Sequence, residues 1–281
     1  MISEHEKNRP VSSYSLEELL PNSLFSSPAV SIRTTDTVGD AASLLAHHLE
    51  YFTSTLVVTK DDLPVGMMGG ADILDAILKN LGFSDKTLVG AIMNQNLTVI
   101  TKQTRLADLI KKWLQTRRAF AILPNQYQGY SAISARKLLE IGVMCKTSMS
   151  VSNIPKKRVI TFSRDDTIRE IITSMFENKT RKLILENTSL FVSDRIITEK
   201  ITKEPKHLQN IHEFLDMKID ISKLESAKMV SDDLGIPEAC KIMYDMQHPY
   251  LMTTEQVISP WDITMILCSD DLIEYRWQIQ A

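Results

Sequence analysis

The sequence lacks the features of a disulfide-bonded, secreted or membrane-spanning protein. Its 281 residues include three cysteines, an odd number without CxxC spacing, which is typical of buried thiols in a reducing compartment. The polar start MISEHEKNRP has no apolar segment like that of a signal peptide, and no uninterrupted apolar stretch is long enough to cross a bilayer. We therefore expect a soluble, cytoplasmic protein without membrane contact.

Other absences argue against a nucleic-acid-binding protein and against common catalytic sites. The net charge is −3, and Lys and Arg are scattered among Asp and Glu, so there is no basic stripe for nucleic acid. The six histidines form no zinc pattern with cysteine. There is no P-loop, no G-x-S-x-G and no recognisable pair of catalytic carboxylates. We expect neither a metal site nor an enzyme.

What the sequence does contain is a four-fold repeat. An acidic residue near a helix start recurs at Asp40, Asp108, Glu170 and Glu238, with separations of 68, 62 and 68 residues. The first and third of these acids are 130 residues apart, and so are the second and fourth. Two halves of equal period, each divided into two similar quarters, indicate a repeat protein.

Each quarter has the pattern β-α-β-β-α. In the third quarter, apolar residues fall at i, i+3, i+4 and i+7 on one helical face: Ile168, Ile171, Ile172 and Met175. Two short apolar strands follow, and a second helix closes the quarter, at Asp72–Asn80 in the first and Asp262–Tyr275 in the fourth. One quarter is too small to bury both faces of its sheet, so we expect quarters to pair.

The end of each quarter resembles the CBS motif, whose consensus is roughly G-h-h-[S/T]-x-x-D with h apolar. The four endings are Gly66-Met-Met-Gly69-Gly-Ala-Asp72, Ser131-Ala-Ile-Ser134-Ala-Arg-Lys137, Leu190-Phe-Val-Ser193-Asp-Arg-Ile196 and Gln256-Val-Ile-Ser259-Pro-Trp-Asp262. Basic pairs before the middle strand, Arg117-Arg118 and Arg181-Lys182, are also similar to the family. Over about Pro28 to Tyr275 the chain resembles a stand-alone CBS-domain regulatory protein of the archaeal or bacterial type.

The resemblance implies an α/β fold (an α+β repeat) of four β-α-β-β-α CBS motifs paired into two Bateman modules. The first module would span 28–145, with motifs at about 28–82 and 91–145. The second would span 150–281, with motifs at about 150–203 and 224–281 and a linker helix at about 205–217. Residues 1–27 are predicted to be a polar N-terminal segment with a short helix at Ser15, which forms a capping box with Glu18.

The resemblance also implies a binding site in the fourth quarter, where Ser259 and Asp262 keep both consensus side chains. The carboxylate would bind ribose hydroxyls of an adenosine-type ligand, and the hydroxyl would lie near ribose or phosphate. The other candidates by analogy are a surface for the purine (Met229, Val230, Tyr250), basic groups for phosphate (His248, Arg181, Lys182), and weaker positions in the other quarters (Asp72, Ser134, Ser193).

Helix capping is the alternative interpretation of these residues. Ser259-Pro-Trp-Asp262 places Ser at the N-cap, Pro at the first helical position and an acid at the third, which is an ideal helix start without any ligand. Capping or solvation is the favoured interpretation of Asp72, and an N-cap role that of Ser134 and Ser193.

The resemblance implies a non-catalytic regulatory protein that senses AMP, ADP, ATP or S-adenosylmethionine and signals to an unidentified protein partner, as a homodimer without a required cofactor. A ligand that bridges two motifs would stabilise one relative orientation of them. The alternative is an interaction scaffold whose CBS pairs only dimerise, and the three degraded motifs favour it.

Overall fold

A computed structural model of the chain describes residues 9–26, 28–48, 54–79, 87–125, 129–204, 207, 210–269 and 274–275. The α-helices among these residues are α1 (Leu16–Leu19), α2 (Asn22–Ser26), α3 (Val38–His47), α4 (Gly70–Leu78), α5 (Val89–Ile92), α6 (Leu106–Thr116), α7 (Ala135–Met144), α8 (Ile168–Glu177), α9 (Asp194–Lys203), α10 (Ile211–Asp216), α11 (Ile236–Asp245) and α12 (Pro260–Ile266). The strands are β1 (Ser31–Arg33), β2 (Thr55–Lys60), β3 (Leu63–Gly69), β4 (Phe120–Pro124), β5 (Tyr130–Ser134), β6 (Cys145–Lys146), β7 (Thr161–Phe162), β8 (Lys182–Leu185), β9 (Leu190–Ser193), β10 (Glu225–Ser226), β11 (Lys228–Met229), β12 (Leu251–Met252), β13 (Val257–Ile258) and β14 (Glu274–Tyr275). Short 3-10 turns lie at Val11–Ser13, Val151–Asn153 and Ile221–Lys223. Within the described ranges, we find no helix with the length and apolarity that a bilayer crossing needs.

The β-α-β-β-α pattern is confirmed in the first, third and fourth quarters, and among its described residues the second quarter lacks the first strand. In the first quarter β1 runs parallel to β2, and β2 pairs antiparallel with β3. The third quarter (β7, β8, β9) and the fourth (β11, β12, β13) have the same order. In the second quarter β4 and β5 form the hairpin, and Val99 forms a parallel bridge to Ile122 in place of a full first strand.

Residues with positive φ close the hairpins of the repeat. Asp61 (φ 50°) and Asp62 (φ 61°) join β2 to β3 as a two-residue turn of the kind that matches strand twist. Asn187 (φ 58°) lies between β8 and β9, and Gly129 (φ 105°) precedes β5. Asp, Asn and Gly tolerate this conformation better than other residues.

The first helix of the third quarter buries the predicted apolar face. In α8 the four apolar residues at i, i+3, i+4 and i+7 are at most 3% exposed. The helix begins with a capping box, in which the N–H and hydroxyl of Thr167 donate to Glu170 at 2.8 Å. Thr37 and Asp40 form the same box at the start of α3.

The second helices begin earlier than predicted, because each N-cap is the residue at the hydroxyl position of the motif. Thus α4 starts at Gly70 rather than Asp72, and α12 starts at Pro260 rather than Asp262. The predicted end of the last helix at Tyr275 is wrong. The described part of that helix ends at Ile266, and Glu274–Tyr275 is a strand whose backbone pairs antiparallel with β6.

The chain folds into two compact units that do not follow the linear order of the quarters. We call residues 1–29, 98–157 and 228–281 the 2/4 unit, because it contains the second and fourth quarters. Residues 30–97 and 158–227 form the 1/3 unit, with the first and third. Each unit has its own apolar core. The modules predicted at 28–145 and 150–281 group the quarters differently and stay a prediction.

Close helix packing organises the 2/4 unit, where α7 packs against α11 and α12. A Cβ atom at Gly142 of α7 would lie 2.2 Å from Sγ of Cys240 in α11 and 3.8 Å from Cγ2 of Ile263 in α12. Arg136, also on α7, donates hydrogen bonds to the carbonyls of Tyr244, Met246 and Gln247. These carbonyls end α11 and would otherwise lack intrahelical donors.

The segment that leads into each quarter, here called its leader, docks on the first helix of another quarter. The leader of the first quarter lies on the second, where N–H of Leu106 donates to the carbonyl of Tyr14 (3.0 Å). The leader of the second lies on the first, where N–H of Val38 donates to the carbonyl of Thr87 (2.9 Å). The first two quarters therefore exchange leaders.

The third and fourth quarters exchange leaders in the same way. The N–H of Ile236 donates to the carbonyl of Met149 (3.1 Å), and the N–H of Ile168 donates to the carbonyl of Met217 (2.9 Å). Each of these contacts lies within one compact unit. The quarters that exchange leaders are the same pairs that the sequence groups into modules.

The leaders contribute core residues. The N-terminal segment, predicted to be polar, inserts Val11, Tyr14 and Phe25 into the core of the 2/4 unit, each 1% exposed. Its helix α1 has the predicted capping box of Ser15 and Glu18. The linker helix predicted at 205–217 is described as α10, which packs on α8; residues 205, 206, 208 and 209 lie outside the described part.

Candidate functional site

The junction of β13 and α12 in the fourth quarter forms a buried polar site. Ser259 is the N-cap of α12, and Pro260 is its first residue. The N–H of Ser259 (2.8 Å) and its hydroxyl (2.6 Å) both donate to Oδ2 of Asp262. Asp262 is 6% exposed. The capping interaction therefore exists, and it fixes one carboxylate oxygen.

A lysine from the leader of the third quarter contacts the other carboxylate oxygen. Nζ of Lys157 lies 2.5 Å from Oδ1 of Asp262, while the Lys157 side chain is 59% exposed. Because a buried carboxylate without a partner is costly, this ammonium compensates part of the cost of burying Asp262. Both oxygens are thus held in place at the surface of the 2/4 unit.

Burial and a cation distinguish Asp262 from an ordinary capping acid. At the start of α3, Thr37 donates to Asp40 Oδ2 from its N–H (2.9 Å) and its hydroxyl (2.7 Å), with the same geometry as Ser259. Asp40 is exposed, and these hydrogen bonds from Thr37 lower the pKa of its carboxyl. Capping alone therefore does not require the environment that Asp262 has.

The register of the fourth quarter places Tyr250 beside Ser259. Leu251 pairs antiparallel with Ile258, so the preceding residue Tyr250 faces Ser259 across the hairpin. Tyr250 is half-buried, and its carbonyl accepts a hydrogen bond from the N–H of Lys228 (3.1 Å). The aromatic residue and the polar junction therefore share one end of the sheet.

The other predicted residues of the fourth quarter differ in accessibility. Met229 is 53% exposed on β11, whereas Val230 is half-buried and packs against the apolar core. His248 is 3% exposed, and its carbonyl accepts a hydrogen bond from the N–H of Tyr250 (2.8 Å). Of these three side chains, Met229 presents the most surface to solvent.

Arg181 and Lys182, predicted to neutralise phosphate, lie in the 1/3 unit. Nε of Arg181 donates to Oδ2 of Asp194 at 2.7 Å, and Asp194 is 3% exposed. Oδ1 of Asp194 accepts from the N–H of Arg195 at 2.9 Å. Arg181 is thus a counter-charge for a buried acid, and Lys182 is a half-buried residue at the start of β8.

The weaker candidates have roles in the helix starts of their own quarters. Asp72, 9% exposed, accepts a hydrogen bond from the N–H of Gly69 at 2.8 Å. Ser193 is fully buried, and its hydroxyl accepts from the N–H of Ile196 at 3.3 Å. Ser134 is the N-cap residue of α7 without a side-chain cap hydrogen bond.

In the second quarter a lysine replaces the consensus acid. Lys137 donates from Nζ to the carbonyl of Ala132 at 2.6 Å. Burial lowers the pKa of this half-buried lysine, although Glu140 opposes the effect. Among the residues that the structure describes, no three or more His, Cys, Asp or Glu side chains are grouped as a metal site would need.

Comparison with known protein families gives a match over part of the chain. Residues 22–79 match the family model of the CBS domain, so the chain contains a CBS domain in its first quarter. No curated protein has a significant sequence match.

The fold of most of the chain resembles that of two solved structures. Protein MJ1225 from Methanocaldococcus jannaschii, a proposed archaeal homologue of g-AMPK, has a TM-score of 0.74 at 14% identity, covering 88% of this chain and 99% of its own. An uncharacterised conserved protein from Pyrococcus horikoshii has a TM-score of 0.51 at 10% identity, covering 87% of this chain and 97% of its own. At these identities the similarity shows the fold alone, and the CBS-domain match is limited to residues 22–79.

A third structure, CBS domain protein PAE2072 from Pyrobaculum aerophilum complexed with AMP, covers 44% of this chain and 89% of its own at 23% identity. Its TM-score of 0.35 is too low to establish a shared fold over the chain.

Proposed function

We propose that this chain is a non-catalytic regulatory protein that binds an adenosine-type ligand at the junction of Ser259 and Asp262. The observation that carries this proposal is the Asp262 carboxylate, which is 6% exposed and held on both oxygens by Ser259 and Lys157. AMP, ADP, ATP and S-adenosylmethionine are the candidate ligands. A homodimer and a protein partner that responds to the bound state belong to the same proposal.

A ribose is well matched to this junction. Its two adjacent hydroxyls are hydrogen-bond donors, and a carboxylate is an acceptor whose hydrogen bonds are stronger than those of neutral groups. Because Ser259 fixes Oδ2, the carboxylate is oriented before a ligand arrives, which reduces the entropy lost on binding. Tyr250, beside Ser259, would offer an aromatic surface to the purine.

The leader exchange supports a mechanism for signalling. Lys157 belongs to the leader of the third quarter, and Asp262 to the fourth quarter, so a ligand at their contact binds parts of two quarters. Occupancy would favour the arrangement in which the two parts lie close together, which is a population shift. This supports a module at 150–281 and, through the equivalent exchange, one at 28–145.

Isothermal titration of the full chain with AMP, ADP, ATP and S-adenosylmethionine tests the proposal, together with Asp262→Ala. Asp40→Ala is the matched control, because Asp40 makes the same capping hydrogen bonds but is exposed. We expect Asp262→Ala to weaken binding about ten-fold or more, the worth of a hydrogen bond to a charged group. Asp40→Ala should retain the wild-type affinity. Equal affinity of Asp262→Ala and wild type would refute the site.

A scaffold without a ligand is the second candidate function, favoured by the capping geometry shared by Ser259 and Thr37. Thermal melting separates the two functions, because a ligand that binds only the native state raises its stability. A melting temperature that is unchanged at millimolar concentrations of all four ligands would favour the scaffold.

A further inference from the structure

The ammonium group of Lys157 has more hydrogen-bond donors than its contact with Asp262 uses. An ammonium has three N–H donors, and one of them points to Oδ1 of Asp262. The side chain is 59% exposed, so a ligand can approach it from solvent. A ligand hydroxyl can therefore donate to Oδ1 of Asp262 in two ways. Either Oδ1 accepts from the hydroxyl and from Lys157 together, or Lys157 moves to another acceptor.

The position of Lys157 can be compared among the four leaders through the strand register. The comparison uses the middle-strand residue that lies two positions after the one facing the hydroxyl position of the motif. The first-strand residues that pair with it are Ser31 (with Val57), Val99 (with Ile122), Thr161 (with Ile184) and Met229 (with Met252). Four residues before them the chain has Ser27, Gln95, Lys157 and Glu225, respectively. Only the leader that reaches the fourth quarter has a cation at this position.

We propose that Lys157 determines the specificity of the proposed site, so that it binds adenosine ligands with a phosphate in preference to neutral adenosine or cationic S-adenosylmethionine. This inference rests on the proposed function of the junction. It assigns the phosphate-binding role to Lys157, which replaces Arg181, Lys182 and His248 in that role.

The selection follows from an exchange of partners. When a nucleotide binds, its phosphate accepts the hydrogen bonds of Lys157, and Oδ1 of Asp262 becomes the acceptor of a ribose hydroxyl. Neutral adenosine would separate Lys157 from Asp262 without giving the ammonium a new anionic partner. S-adenosylmethionine would bring its positively charged sulfonium towards the Lys157 ammonium, and the two like charges would repel each other.

Lys156 provides a matched control for the charge of the segment. It precedes Lys157 in the chain, is 62% exposed and forms an ion pair with Glu255 on the turn between β12 and β13. Replacing either lysine by alanine removes one positive charge from the same leader. The two variants therefore differ in the contact with Asp262 and not in net charge.

The experiment measures binding of AMP, adenosine and S-adenosylmethionine by isothermal titration to wild type, Lys157→Ala and Lys156→Ala. We expect wild type to bind AMP most tightly. Lys157→Ala should lose about ten- to hundred-fold in AMP affinity, the worth of one hydrogen bond between charged groups, while adenosine affinity should not fall, because adenosine no longer has to separate Lys157 from Asp262. Lys156→Ala should bind AMP as wild type does. Lys157→Gln, which keeps a neutral donor, should lose AMP affinity as well.

Several outcomes would overturn the inference, and they can be told apart from failure of the proposed function. If wild type binds adenosine or S-adenosylmethionine as tightly as AMP, the junction is a sensor but Lys157 does not select phosphate. If Lys157→Ala weakens AMP and adenosine equally, or if Lys156→Ala reproduces its loss, then Lys157 has only a general structural or electrostatic effect. If the folded wild type, checked by circular dichroism, binds none of the three, both proposals fail.

Discussion

The contact at Gly142 gives the sharpest test of the helix packing that supports the candidate site. A methyl group added there would lie 2.2 Å from Sγ of Cys240 and 3.3 Å from its Cβ, and real Cβ atoms do not approach other atoms so closely. The same methyl would lie 3.8 Å from Ile263, on the helix that starts at Ser259. Gly142→Ala must therefore displace α11 or move the Cys240 side chain.

Two opposed effects set the magnitude of this substitution. Alanine in the interior of a helix is favoured over glycine by about 1 kcal/mol. Overpacking of a well-packed core costs typically about 1–3 kcal/mol, and the short approach to Cys240 places this site at the upper end. The net expectation is a loss of about 1–2 kcal/mol in the free energy of unfolding, or roughly 2–4 °C in the melting temperature for a chain of this size.

Gly39 is the control glycine. It also lies inside a helix, α3, but a Cβ there would meet Oγ1 of Thr37 at 3.6 Å, an ordinary van der Waals contact. Gly39→Ala should therefore stabilise the protein by up to about 1 kcal/mol, the propensity gain alone. Urea unfolding followed by circular dichroism measures both variants as shifts of the transition midpoint.

A second substitution tests the cause of the loss. Cys240→Ala removes the sulfur that the new methyl would meet, so the double variant with Gly142→Ala should be more stable than the sum of the two single changes, with a coupling of about 1 kcal/mol or more. If Gly142→Ala stabilises the protein as Gly39→Ala does, or if the two changes simply add, α7 and α11 do not pack as closely as described.

Two more predictions concern the end of α11. Arg136→Met should lower the free energy of unfolding by about 1–3 kcal/mol, because the carbonyls of Tyr244, Met246 and Gln247 lose their shared donor, and the urea midpoint measures this loss. The hydrogen bond that Tyr244 donates to Glu140 raises the pKa of Tyr244 to about 12. Since the folded pKa exceeds the ordinary value of about 10, the stabilisation is present below pH 10 and is lost as the pH rises towards 12. Tyr244→Phe should therefore be less stable than wild type at pH 9, and the difference should shrink by pH 11.5, as measured by urea unfolding at both pH values.

The repeat and the helix starts could be predicted because they depend on short-range spacing. Ser15 and Glu18, like Thr167 and Glu170, lie three residues apart, and a capping box needs no other part of the chain. The apolar face of α8 follows from one helical period in the same way. These features are therefore visible in the sequence without any knowledge of the tertiary structure.

The partners of the site could not be predicted in this way. Lys157 and Asp262 are 105 residues apart, so no local spacing connects them. The basic run Lys156-Lys157-Arg158 was the available signal, but it does not indicate which acid it meets. Arg181 was assigned to phosphate by analogy, whereas it pairs with Asp194, an acid that follows the motif serine directly rather than three residues later.

The leader exchange explains why an almost symmetric repeat can have one distinctive junction. In the fourth quarter the helix start supplies the serine and the acid, but the lysine that contacts the acid comes from the leader of the third quarter. Ser259 and Asp262 meet Lys157 because the third quarter contributes its leader to the fourth, whereas the leader that runs along β9, near Ser193, carries Glu225 at the equivalent position. A substitution in one quarter therefore changes the charge of a junction in another. Under the proposed function, the ligand preference of this junction therefore depends on the motif of the fourth quarter and on Lys157 together.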